Sequence, residues 1–513
     1  MNNVLQSGYY SNFGENNVEW FVNEIIKIEN KMKFYFKNTK KDIIMTKEDE
    51  DDFKNSTICW FCELPLDTKV RDHCHLTGKY RGAAHEKCNI NVRQKNSNFI
   101  PFLFHNFSNY DCHLFFKTLI DKKPDNVSNH VIPRTNEEYI SISYGCIRFI
   151  DSYRFLQSGL DGLVRTLNEN ELVTLKNEFP YNWNLLSKKL AYPYEYFKSL
   201  KDYDLPIDLL TKENYFSRLK NGYPENIEIE RTNEIIKKFN IKTGKELTEL
   251  YLKTDVVLLV DVFEKFIKVS QNEFKINPLY CVSLPGYTWH CGLKSTGVNL
   301  KTLQDEDMIS LIENNTRGGI SSVMDDRYVI SDDKKKILYV DANNLYGWAM
   351  SQFLPFDEIK FVNVSIEDIL STPDNSEIGY FVEVDLKYPD EIKQKTKYFP
   401  FCPENKFAPQ DKFTDYMKSQ KQDSYTKCKK LICDWTDKKK YLIHYRMLKF
   451  YLKHGMVVEK VHEVISFKQS KWLEKYINSN TQKRNKTENK FEEDFYKLLN
   501  NSFYGKTMEK IED

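Results

Sequence analysis

Residues 336–355 read KILYVDANNLYGWAMSQFLP. Ile337, Leu338, Tyr339 and Val340 form an apolar run of the kind that fills a buried strand, and the strand delivers Asp341 at its C-terminal end. Burial fixes such a carboxylate rigidly. Tyr346 follows five residues later, past the turn-formers Asn343 and Asn344, near enough to close over whatever a metal ion at Asp341 holds. The pattern reads as a nucleotide seat, or as a plain helix cap at a strand end.

The segment resembles motif A of the family B DNA polymerases, D-x-x-S-L-Y-P, written here DANNLYG. The resemblance implies that Asp341 binds catalytic magnesium and that Tyr346 stacks under the incoming sugar and excludes a 2′-hydroxyl. Asn344 stands for the serine and Gly347 for the proline. Near the other end, FEEDFYKLLNNSFYGKTMEK (residues 491–510) predicts a helix with Lys497, Asn501 and Tyr504 at i, i+4 and i+7 on one face. Lysine carries a triphosphate's charge as a point cation, and a tyrosine offers a flat surface to a base. K-x3-N-S-x-Y-G matches family B motif B through Gly505. The family's motif C, a D-T-D hairpin, is not found before Asp513, so the chain is expected to be a fragment that binds primer–template DNA without extending it.

A chain of 513 residues, 41% hydrophobic and 14% aromatic, is expected to fold as two to four globular domains. No run of about 18 uncharged apolar residues and no signal region occur, so the expectation is an intracellular protein without a membrane span, at the nucleus or a viral replication site. The net charge of +1 hides an uneven distribution: residues 421–510 hold 21 Lys and Arg against 11 Asp and Glu, interleaved with aromatics. That composition suits a phosphate-neutralising surface or a set of solvated amphipathic helices. The acidic run Glu48–Asp52 reads as a solvated connector.

Four of the eleven cysteines and three of the ten histidines fall between Cys59 and Cys88. Cys59 and Cys62 make a C-x2-C knuckle, and His85 and Cys88 make a second pair after a 22-residue gap, which is the arrangement tetrahedral zinc requires. Together with Asp72-His73-Cys74-His75 and Asn89, the block resembles the endonuclease VII type of HNH fold. The resemblance implies structural Zn2+ at Cys59, Cys62, His85 and Cys88, nuclease magnesium at Asp72 and Asn89, and His73 as general base. His85 replaces a cysteine and Cys74 the second aspartate.

Downstream, NFIPFLFHNFSNYDCHLFFKTL (residues 98–119) predicts a strand, then a helix with Asp111 between them as cap or ligand. In residues 251–269, the spacing of Leu252, Val256, Leu259, Val260, Phe263 and Ile267 predicts an amphipathic helix, with Tyr251 and Asp255 on one face. These segments resemble the second and third exonuclease motifs of family B polymerases. That implies metal binding by Asp111 and Asp255, a single-stranded end held by Asn106, and an attacking water oriented by Tyr251. Ile150–Leu156 is similar to the (S/T)-L-x2-h motif, which implies DNA contact through Ser152. TRGGI (residues 316–320), with glycines that permit positive φ, resembles the Y-x-G-G linker, which implies template contact at Gly318 and Gly319. The first exonuclease motif, D-x-E, is not found before Cys59.

Taken together the motifs resemble the protein-primed DNA polymerases of Maverick or Polinton elements and related viruses. The implied fold is mixed α/β: a ribonuclease-H-like exonuclease domain and a partial palm and fingers, with a small zinc-binding HNH-like insertion. The expected divisions are an N-terminal segment (1–58), a zinc block (59–95), an exonuclease-like domain (96–284) and a partial polymerase domain (285–513). The implied chemistry is two-metal phosphoryl transfer with Mg2+ or Mn2+, on primer–template DNA and deoxynucleoside triphosphates, with a priming terminal protein as a further partner. The rivals are a structure-specific nuclease working through Asp72, His73 and Asn89, and a non-catalytic DNA-binding relic of a mobile element.

Overall fold

The structure is a computed structural model that describes residues 8–62, 64–95, 99–135, 137–207, 210–321, 330–409, 411, 413–419 and 429–509. The chain divides into two units, one of residues 1–288 and 486–495 and the other of 289–485 and 496–513.

In the first unit, α1 (Asn17–Asn38) turns Val22 and Ile25 inward, and α2 (Lys47–Asn55) starts on a Thr46–Asp49 capping box. The acidic run therefore lies in α2 and is no free connector: Glu50 pairs with Arg71 at 3.0 Å and Asp52 accepts from the Tyr80 hydroxyl at 3.0 Å. Strands β1 (Val70–His73) and β2 (Tyr80–Ala84) pair antiparallel and are followed by α3 (Glu86–Lys95), a ββα module. Next, β3 (Ile100–Phe104) leads through a 3-10 turn into α4 (Asp111–Asp121), as the sequence implies. It joins β4 (Asn129–Pro133), β5 (Tyr139–Tyr144) and β6 (Ile147–Asp151) in a mixed sheet of order β3-β6-β5-β4, with β3 parallel to β6 and the other pairs antiparallel. Phe107 stacks on Phe149 at 5.9 Å, and Phe115, Leu119, Ile142 and Ile147 complete the core between this sheet, α1 and α4.

Short helices α5 (Leu160–Val164) and α6 (Val173–Glu178) pack on a long one that follows α7 (Asn226–Lys238), namely α8 (Gly244–Phe274). Its Thr243–Glu246 capping box sets the start. The apolar spacing misplaces its buried face: Leu252, Val256 and Val260 are exposed, while Tyr251, Thr254, Leu258, Asp261 and Phe266 are inside. Apolar residues lie on both sides of α8, and the inner one, with Leu258, Val262, Phe263 and Phe266, also takes in polar groups. Asp261, for example, accepts from the Thr174 and Leu175 amides at 2.7 and 3.0 Å and so caps α6.

The second unit begins in α9 (Leu284–Thr296) and continues through α10 (Glu306–Asn315) and the short α11 (Leu345–Met350). Strands β7 (Leu354–Phe361) and β8 (Ile378–Lys387) follow, with α12 (Ile366–Ser371) between them and α13 (Asp390–Lys393) after them. A two-stranded tongue joins β9 (Glu404–Lys406) to β10 (Lys430–Ile432), with α14 (Asp415–Ser419) between. Then come β11 (Lys438–His444), α15 (Tyr445–Lys453) and β12 (Val457–Ser470), and the helices α16 (Glu474–Lys486) and α17 (Lys490–Thr507). The antiparallel sheet runs β11-β8-β12-β7, and Val382, Val384 and Leu386 of β8 face Leu448 and Tyr451 of α15 in its core. Lys438, fully buried, holds the tongue through Glu404 at 3.0 Å and Asp434 at 2.9 Å. Removing either carboxylate would leave part of a buried charge unpaired.

Candidate functional site

Asp341 is exposed, and Ile337–Val340 before it form no strand, with Tyr339 92% and Val340 75% accessible. This corrects the expectation of a buried strand. Such a run needs a ladder partner to satisfy its backbone, and none pairs with it among the described residues. Asn344 then takes a left-handed conformation (φ 55°) at the start of α11. Its side chain lies where a Cβ on residue 347 would be, within 2.4 Å, so Asn344 and Gly347, the two departures from motif A, fit one another.

That turn brings Tyr346 to Tyr504 of α17, ring centroids 4.4 Å apart and planes 12° from parallel. Phe503, 1% accessible, anchors the opposite side of α17, stacked on Trp289 at 5.0 Å and packed against Tyr476. Asn500, also buried, accepts from Asn480 of α16 at 2.9 Å. With positions 500 and 503 held inside, Lys497, Asn501 and Gly505 are turned out to solvent beside the half-buried Tyr504. A flat aromatic surface next to a solvated ammonium suits a nucleotide's base and phosphates.

The Gly318-Gly319 segment is tied down just before its glycines. Arg317 donates to the Leu442 carbonyl of β11 and to Asn315 Oδ1 (3.3 Å), and its guanidinium lies 4.0 Å from the Tyr441 ring. Asn315 Oδ1 also accepts from the Leu442 amide at 3.2 Å. Both glycines have open space around them.

In the first unit, the ligand atoms of Cys59, Cys62, His85 and Cys88 all lie within 4.8 Å of one another, and they are the one such group of three or more among the described residues. His85 Nε2 donates to the Pro65 carbonyl at 2.9 Å, which leaves Nδ1 facing the Cys62 and Cys88 sulfurs at 3.4 and 3.7 Å. Burial alone would push the Cys59 thiol up, but hydrogen bonds from the Cys62, His85 and Phe61 backbones outweigh it and hold it at about 6. Burial and the neighbouring sulfurs push Cys88 up to about 12. Thiolate charge thus collects at one point, where a divalent cation would relieve it. In the same module Asp72 is 1% accessible; one oxygen accepts from Arg81 at 2.7 Å, and the other, like Asn89 Oδ1, is sequestered without a partner. His73 lies at the end of β1, its ring 4.4 Å from that of His75.

Asp151 organises the remaining site. Its carboxylate accepts from the Asn106, Ser108 and Tyr153 amides at 2.8 to 3.0 Å, fixing the turn between β3 and α4 with Asn106 left-handed (φ 69°) and exposed. Asp111 opens α4, its pKa raised by burial and by Asp151. Ser152 is buried and donates to the Phe104 carbonyl at 2.7 Å, and Tyr153 is the exposed member of that motif. His105 Nδ1 lies 2.9 Å from the Ser152 hydroxyl, and its Nε2 is buried. Burial lowers the pKa of His105.

On α8, burial raises Asp255, partly offset by Lys189, whose ammonium lies 3.2 Å away; the other Asp255 oxygen has no partner. Tyr251 is buried beside Asp255 and bonded to the Tyr194 hydroxyl at 2.5 Å. Asp151, Lys189 and Asp255 all act electrostatically on His105. Lys189, Tyr194, Asp151 and His105 were not singled out from the sequence. The signal for the first two was KKLAYPYEY (residues 188–196), a lysine pair followed by three alternating tyrosines.

The profile of organellar and viral type B DNA polymerases matches residues 90–513. No curated protein matches. Among solved structures, phi29 DNA polymerase with primer–template DNA and incoming nucleotide is similar at 14% identity and TM-score 0.42, over 83% of this chain and 62% of that one. The orthorhombic form of phi29 DNA polymerase is similar at 12% identity and TM-score 0.43, over 86% and 67% respectively. The chain thus spans 62% of the length of the first of these.

Proposed function

Because the chain belongs to the organellar and viral type B DNA polymerases, we propose that it is a DNA-directed DNA polymerase of the protein-primed kind, extending a primer on a DNA template with deoxynucleoside triphosphates. The observation that carries this reading is the Tyr346–Tyr504 stack, which joins the two motif tyrosines beside Lys497 and Asn501. In it Lys497 meets the triphosphate, Tyr504 supports the base and Tyr346 stands against the sugar. Polymerases of this family use divalent metals, and Asp341 is the proposed ligand. Asp341 belongs to no group of three or more ligand residues among the described residues, so these residues by themselves do not make a two-ion site.

The test is a labelled primer–template with all four deoxynucleotides. Binding should weaken steeply as salt rises. In a form of the protein that extends the primer, extension should fall on the order of a thousandfold in Asp341→Ala. Extension that ignores this substitution would move the site elsewhere.

The Cys59, Cys62, His85 and Cys88 group is proposed as a structural zinc site, because its soft, closed donor set fits that ion. The mixed sheet, with Asn106 and Asp111 at the turn after β3, supports a ribonuclease-H-like exonuclease reading, in which Tyr251 and Asp255 of α8 are the proposed further members. The embedded Cys/His block favours the mobile-element branch.

A second reading is a nuclease in the ββα module. It is favoured by the sequestered, unpartnered oxygens of Asp72 and Asn89, since an orphaned buried oxygen is costly unless a cation meets it. Magnesium-dependent cleavage of branched DNA should then fall roughly a hundredfold or more in His73→Ala. Cleavage equal in both proteins would exclude His73 as its base.

A further inference from the structure

From Lys31 to Lys41 the sequence KMKFYFKNTKK carries five lysines and no acid. The first half of α1 is held in the core by Val22 and Ile25. Its C-terminal half presents another face: Asn30, Lys33, Phe34 and Lys37, at i, i+3, i+4 and i+7, are all exposed, and Lys40 and Lys41 continue the exposed run beyond the helix. Phe34 is 70% accessible, an aromatic ring among cations with no core to fill. Elsewhere on α1, Lys27 pairs with Glu24; Lys33, Lys37, Lys40 and Lys41 face no acidic partner among the described residues.

This segment has a built position. The Lys41 amide donates to the His75 carbonyl at 2.8 Å, the Ile44 amide donates to the Gly78 carbonyl at 2.7 Å, and Ile44 forms a parallel bridge with Lys79. Gly78 has φ +75°, and a Cβ there would lie 2.6 Å from the Asp42 carbonyl, so only glycine admits the contact. The arm is thereby pinned to the β1–β2 turn that begins just after His73.

We propose that Lys33, Lys37, Lys40 and Lys41, with Phe34, form a binding surface for the phosphate backbone of duplex DNA, docked on the ββα module so that the bound duplex passes the His73 end of β1. Unpaired ammonium groups spaced along one exposed edge neutralise successive phosphates and release their counterions. The surface rests on the reading of this chain as a DNA-handling protein.

The experiment measures lysine acetylation in the full-length protein by mass spectrometry, with and without a 30-base-pair duplex, beside anisotropy titrations at several salt concentrations. Lys33, Lys37, Lys40 and Lys41 should be protected roughly fivefold or more, and replacing all four by Ala should flatten the salt slope by about 3.6 units, near 0.9 per lost phosphate contact. Removing Lys198, Lys220, Lys237 and Lys238 instead, all exposed in the same unit, should leave the slope in place. Equal loss in both variants, or unprotected arm lysines while the duplex is bound, would overturn the surface and leave the polymerase reading standing. A wild-type protein that binds no duplex at all would overturn both.

Discussion

Metal removal should unfold the Cys59–Cys88 block, and metal analysis of the purified protein should give about one zinc per chain. The reason is the size of the block's own core: Cys59, Tyr80, Ala83 and Ala84 are its buried apolar residues. So few side chains cannot offset the entropy of ordering the segment, and modules of this size are held by a metal worth roughly 10 kcal/mol or more in apparent free energy. Chelation, or Cys62→Ser, should therefore turn a protease-resistant segment into a cleavable one. The rest of the first unit, with its aromatic core of Phe107, Phe115 and Phe149, should stay folded. A metal-free preparation whose block still resists protease would show that the four ligands are structural cysteines and histidine only.

In an extension-competent form of the protein, replacing Tyr346 by Val should admit ribonucleotides in primer extension, lowering the preference for deoxyribonucleotides roughly a hundredfold or more. The ring is proposed to exclude the 2′-hydroxyl sterically, and its position is set by the Tyr504 stack at 4.4 Å. Val opens that space and leaves Tyr504 without its neighbour, whereas Tyr346→Phe keeps the ring and should keep the preference. If Val and Tyr select sugars alike, Tyr346 has no part in the choice.

The legible parts of the sequence were those in which a local pattern sets local geometry. Two tight knuckles brought four ligands together, Tyr251 and Asp255 met one turn apart on α8, and Lys497, Asn501 and Tyr504 shared a helix face, because helical spacing alone places them. Apolar content read as burial went astray. The run Ile337–Val340 has strand composition but no ladder partner among the described residues, and on α8 the periodicity chose Leu252 and Val256 over the side that Asp261 and Thr254 occupy. Both outcomes depend on partners distant in sequence. Lys189 was missed for the same reason: it is 66 residues from Asp255, and only the fold makes them a pair.

Arg317 and Asn315 have an effect beyond the loop they hold. β11 is the outer strand of its sheet, and an outer strand offers unpaired amides and carbonyls to any passing chain. At Leu442 both backbone groups are already taken, by the Asn315 side-chain oxygen and the Arg317 guanidinium. Two side chains thus fill the rung that a second molecule's strand would need, and Arg317 over Tyr441 covers the adjacent ring. The same contacts that fix the glycine loop therefore block strand addition at this rung of the sheet's β11 edge.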